Sequence, residues 1–136
     1  AINTDEAIEE ANYVKDILGD IKLDYPVAYD WEIVKDDDAR TDNVSAYEAT
    51  ECARAFCQTV ESNGYTASIY SPSRELYFKY DLSRSKDYDI WYCEYSDTPE
   101  FYYQFSMWQY TTAGKVDGIE GEVDLNICFT GIADYA

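Results

Sequence analysis

The chain has 136 residues, which is room for one domain, and 46% of them are hydrophobic, enough to build a core. Acidic residues outnumber basic ones 28 to 10, giving a net charge of −18; such a surface repels phosphate backbones and anionic bilayers and argues against nucleic-acid and membrane partners. The absence of His removes Ser-His and Cys-His nucleophile schemes and, with no Cys-x-x-Cys pair, argues against a zinc site.

The first predicted element is a helix, opened by Asn3 with Glu6 three residues later. Its apolar positions are Ala7, Ile8, Ala11, Val14 and Leu18, and Gly19 stops it. A β-prone segment follows, Pro26 to Glu32, with the proline at its start. Ile33 to Asn43 reads as a loop; its Asp36-Asp37-Asp38 run lacks the turn glycine of an EF-hand and is taken as a solvated acidic stretch.

Ser45 and Glu48 form a capping-box pair for a second helix, whose face is Ala49, Cys52, Ala53, Phe56, Cys57 and Val60. Asn63-Gly64 ends it. Tyr65–Tyr70 is the next strand candidate, and Ser71-Pro72 starts a short helix reaching about Tyr80. Three strand-like segments close the chain: 89–95, 105–111 and 122–128. The order predicts an α/β fold with parallel strands and a helix-free ending. The four cysteines (Cys52, Cys57, Cys93, Cys128) permit three pairings, and buried thiols are favoured over bridges.

Without His, chemistry must rest on carboxylates, tyrosines or a borrowed group. Asp30 and Glu32 end their strand, two apart and so on one face, where functional groups gather in parallel α/β folds. Two carboxyls that close do not ionise independently, so one holds its proton longer. Acidic pairs at this spacing also occur at Asp36/Asp38, Asp87/Asp89, Glu120/Glu122 and Glu122/Asp124; only Asp30/Glu32 ends an apolar strand around a Trp. Asp124, between apolar residues on the last strand, is a second candidate, with a local hydrogen-bonding Asp as the plain alternative. The aromatic share of 17%, with 15 Tyr, exceeds what a small core needs. Trp91, Tyr95, Trp108 and Tyr110 are candidates for a sugar-stacking platform, although for Trp91 the core is the favoured place.

Taken together these segments resemble the glycoside hydrolase family 25 muramidases, in the family's order. An "EA" helix is met by Asp5–Ala11, the "P-x-x-x-D-x-E" strand by Pro26–Glu32, and a helix end by Phe56-Cys57, Val60 and Gly64-Tyr65. Ile69-Tyr70 and Ile90–Tyr95 match two further strands. The long closing motif runs from Trp108 to Asn126. The resemblance implies an irregular, partial TIM-type (β/α) barrel of about five strands, the last ones helix-free. It implies Glu32 as general acid, Asp30 as the residue orienting the substrate's acetamido group, and Asp124 completing an acidic floor. Tyr70, Trp91, Tyr95, Trp108 and Gln109 would contact substrate. The implied reaction is hydrolysis of the bond from N-acetylmuramic acid to N-acetylglucosamine in peptidoglycan, with the acetamido oxygen a candidate nucleophile. No metal or cofactor is implied. The implied place of action is outside the cell or at the wall, by secretion or phage-encoded lysis.

The family's first strand, with its "D-x-S" motif, and two more strands before the "EA" helix have no counterpart here. Residues 1–136 therefore read as one domain, roughly the C-terminal two-thirds of that barrel, and the leading Ala fits a processed product or fragment. Open sheet edges imply poor folding or no activity alone, unless an N-terminal segment or second chain closes them. Two other classes stay open: a non-catalytic glycan-binding module, and an acidic α/β interaction domain.

Overall fold

Two helix starts follow the capping chemistry read in the sequence. The Asn3 side chain accepts from the Glu6 N–H at 2.9 Å and opens α1, Thr4–Leu18; Gly19, at φ 58°, closes it. Ser45 and Glu48 each accept the other's backbone N–H, a complete capping box for α2, Ala46–Ser62. All six residues of the expected α2 face are buried. On α1 the face narrows to Ala7 and Ala11, while Ile8 is exposed: small side chains let α1 lie close against its neighbours. The computed structural model describes residues 1–33 and 38–130, so Asp36 and Asp37 of the acidic run lie outside the described residues.

The strands are β1 (Val27–Asp30), β2 (Ala67–Pro72), β3 (Asp89–Cys93), β4 (Met107–Gly114) and β5 (Val123–Cys128), in one sheet in chain order. β1 to β4 run parallel, as expected for alternating elements, but β5 runs antiparallel to β4. The link of residues 115–122 is shorter than the dozen or so residues a parallel crossover needs. β2 begins and ends two residues later than the sequence suggested, so Pro72 ends the strand and caps α3, Ser73–Phe78. A 3-10 turn, Leu82–Arg84, was not foreseen. β1 stops at Asp30, two residues short of Glu32.

Alternation divides the sheet into two unlike faces. Tyr29, Ile69, Tyr92 and Trp108 are buried on one. Tyr29 meets Phe56 of α2 at 5.0 Å, and Tyr92 stacks between Phe101 at 5.2 Å and Trp108 at 6.2 Å. This is the core. The register pairs Asp30 with Tyr70, Tyr70 with Trp91, Cys93 with Gln109 and Gln109 with Asn126 on the other face. The four cysteines are free thiols, and burial pushes Cys57 up to about 12.

Candidate active site

The second face carries a connected polar network. The Tyr70 hydroxyl donates to Gln109 Oε1 at 2.9 Å, and the Tyr95 hydroxyl to the same oxygen at 3.2 Å. Gln109 Nε2 then donates to Asp124 Oδ2 at 3.3 Å. Next to this chain, Trp91 Nε1 donates to Asn126 Oδ1 at 2.9 Å, and the Trp91 ring meets Tyr70 edge-on at 4.9 Å. Residues from β2, β3, β4, β5 and the loop after β3 thus converge.

Asp30 and Glu32 flank the buried Trp31, and both are exposed. Protein behind them makes ionisation harder: burial raises the proton affinity of Asp30, and burial first, then the charges of Asp30 and Glu75, raises that of Glu32. The same Glu32 charge reaches the phenols of Tyr70 and Tyr95. Tyr70 is raised chiefly by burial, with the neighbouring Cys93 thiol and Glu32 adding. Tyr95 is raised chiefly by its hydrogen bond with Cys93, with burial, Asp124 and Glu32 following. Tyr95 therefore feels acids at both ends of the sheet, Glu32 after β1 and Asp124 on β5.

Of the residues singled out in the sequence, the structure brings together Asp30, Glu32, Tyr70, Trp91, Tyr95, Gln109 and Asp124. Trp91 is half-buried on this face rather than in the core. Trp108 and Tyr110 are not in the group. Trp108 is 5% exposed on the core face, stacked on Tyr92, with its indole N–H given to the Glu94 carbonyl at 2.8 Å. Tyr110 packs against it at 5.6 Å. Successive strand residues face opposite ways, so Trp108 and Gln109 cannot share a face.

Sequence reading missed three members. Asn126 stands two residues from Asp124, and that spacing could have placed it on the same face. Cys93 is two from Trp91, with the same signal. Glu75, buried in the first turn of α3, gave no signal, because its place depends on where β2 ends.

A partial β/α barrel with carboxylates and aromatic rings on the face away from its helices is the class that fold and site define. Residues 1–119 match the family described as Glycosyl hydrolases family 25, and the chain belongs to that family. No curated protein matches it closely enough to count as a relative. Solved structures with the same fold include the CTP1L endolysin, at 19% identity and TM-score 0.74, covering 99% of this chain and 46% of that one. The modular autolysin LytC of Streptococcus pneumoniae gives 24% and 0.75 over 93% and 31%. The spore cortex lytic enzyme SleM of Clostridium perfringens gives 22% and 0.76 over 93% and 45%. At these identities the likeness is one of fold, and the chain spans less than half the length of each.

Proposed function

We propose that this chain carries the working carboxylates of a peptidoglycan muramidase, which cleaves the β-1,4 bond from N-acetylmuramic acid to N-acetylglucosamine. What carries the reading is the placing of Asp30 and Glu32 at the end of β1 and just after it, beside the Tyr70–Gln109–Asp124 network, where burial and the charges of Asp30 and Glu75 raise the proton affinity of Glu32. LytC, which shares the fold, has been solved with a synthetic peptidoglycan ligand.

Glu32 gives its proton to the glycosidic oxygen as the bond to the anomeric carbon breaks. The substrate's acetamido oxygen closes on that carbon, and Asp30 accepts the acetamido N–H and steadies the positive charge that develops. Water then opens the ring, returning a proton to Glu32. Trp91, with Tyr70 at its edge, offers a face on which a sugar ring stacks. Asp124, held by Gln109, adds negative potential on the far side of the site. The substrate assigns the action to the wall or the extracellular space. β1 and β5 are the sheet's two edges, and the strands that the family carries ahead of its "EA" helix would pair there and complete the barrel.

Loss of turbidity and release of reducing ends from bacterial walls test the reading, with Glu32→Gln as the control and the D-x-S strands supplied in trans as a second arm. Hydrolysis that Glu32→Gln abolishes supports it. Wall binding that survives the substitution, with no hydrolysis by the parent in either arm, assigns the chain to the glycan-binding class instead.

A further inference from the structure

The backbone ladder between β1 and β2 ends at the Asp30–Tyr70 pair, so the acid Glu32 stands beyond the last hydrogen-bonded strand residue. A side chain continues the pairing. The hydroxyl of Ser71, a fully buried residue, donates to the Trp31 carbonyl at 3.1 Å. The Trp31 ring, 3% exposed, meets Tyr80 edge-on with centroids 6.2 Å apart and planes at 87°. Trp31 is thereby held at both its carbonyl and its ring. Its carbonyl belongs to the same planar peptide unit as the Glu32 N–H. Fixing the direction of that carbonyl fixes the plane from which the Glu32 side chain departs.

We propose that Ser71 is a positioning residue: its hydrogen bond to the Trp31 carbonyl extends the β1–β2 pairing past the end of the ladder and holds Glu32 beside Asp30. Ser71 lies on the core face and touches no substrate; it acts through the backbone. A carboxyl at the end of an untethered segment would swing into water and escape the neighbours that raise its proton affinity. The inference rests on Glu32 being the acid of the proposed reaction, but its test does not require turnover.

The carbon-13 titration of the Glu32 carboxyl is followed in the full chain, in the parent and in Ser71→Ala, Ser71→Thr and Ser71→Cys. Ser71→Ala should lower the Glu32 midpoint by about half a unit or more, toward the ordinary carboxylate value. Ser71→Thr, which keeps the hydroxyl, should titrate as the parent does. A folded Ser71→Ala whose Glu32 midpoint equals the parent's overturns the proposal, as does a Thr variant that shifts as far as Ala. Should Ser71→Ala not fold, Ser71→Cys fills the space with a poor donor and should show the same downward shift; an unmoved midpoint there overturns the proposal too. Loss of hydrolysis in Glu32→Gln is read separately, so a shifted midpoint with no such loss removes the muramidase reading and leaves the tether standing.

Discussion

Tyr70 and Gln109 share a 2.9 Å hydrogen bond although β3 lies between their strands. In a flat sheet, strands once removed are about 9.6 Å apart, twice the usual spacing. Long side chains from such strands meet when the sheet curls toward them, so this bond marks the concave side of the partial barrel. It also fixes the amide. With Oε1 accepting two phenols, Nε2 is left to face Asp124, which must then act as acceptor.

Gln109 is 6% exposed and Tyr70 is half-buried, whereas Tyr95 and Asp124 are exposed and can turn to water. Gln109→Leu takes the acceptor from the half-buried Tyr70 phenol, while Tyr95 and Asp124 exchange Gln109 for water. The expected loss is about 0.5–1.5 kcal/mol, seen as a lower urea midpoint at unchanged m-value, with hydrolysis reduced by tenfold or more as Asp124 loses its tether.

Glu32 titrates high in the folded chain because burial and the charges of Asp30 and Glu75 disfavour its ionised form. The folded state then binds this proton more tightly than the unfolded state does. Stability attributable to Glu32 is intact below the ordinary carboxylate range and declines as pH rises through the raised value. Glu32→Gln removes the penalty, so its Tm should exceed the parent's at pH 7 and match it at pH 3. Hydrolysis by the parent should fall across the same rise in pH, as the acid loses its proton. Equal Tm values at pH 7 would mean that neither burial nor the neighbouring charges disfavour ionised Glu32.

The helices could be read in advance because their signals are local. Ser45 and Glu48 are three residues apart, and the α2 face repeats within one segment. The D-x-E pair was equally local, but β1 ends at Asp30, so strand alternation does not carry on to Glu32 as the spacing suggested. The faces of the late strands were harder, since β3 carries aromatic or apolar residues on both sides: Trp91 on one, Ile90 and Tyr92 on the other. Alternation assigns Trp108 and Gln109 to opposite faces but does not say which is core. That is decided by Phe101 and Tyr92, whose packing depends on the path of a loop. The Gln109 network joins strands far apart in sequence, and no spacing rule connects residues 70, 109 and 124.

The two tryptophans should separate accordingly. Trp91→Ala removes a half-buried ring from the concave face and should weaken binding to wall glycan by tenfold or more, with a small change in Tm. Trp108→Ala empties a buried site stacked on Tyr92 and should cost about 3–5 kcal/mol, with binding lost only as the fold is lost. Isothermal titration with chitooligosaccharide alongside thermal unfolding distinguishes them. The reverse pattern would place the glycan on the other face of the sheet.

Asp124 depends on the β4–β5 pair, and that pair turns on Gly114. A Cβ built on Gly114 would lie 2.3 Å from Leu125 Cγ and 2.8 Å from the Val123 carbonyl oxygen. The Leu125 side chain could rotate away, but the Val123 oxygen belongs to the backbone of the neighbouring strand. Gly114→Ala should therefore push β5 outward at its start, next to Asp124. The expected cost is about 1–3 kcal/mol. Amide exchange should speed up at residues 123–125 more than at β2 or β3, whose contacts lie elsewhere. Because Asp124 is held by Gln109 from β4, the same displacement should lengthen that contact and lower hydrolysis, while the Glu32 titration, set at the other edge of the sheet, stays where it was. A Glu32 midpoint that moves with Gly114→Ala would show that the two ends of the site are mechanically coupled through the sheet.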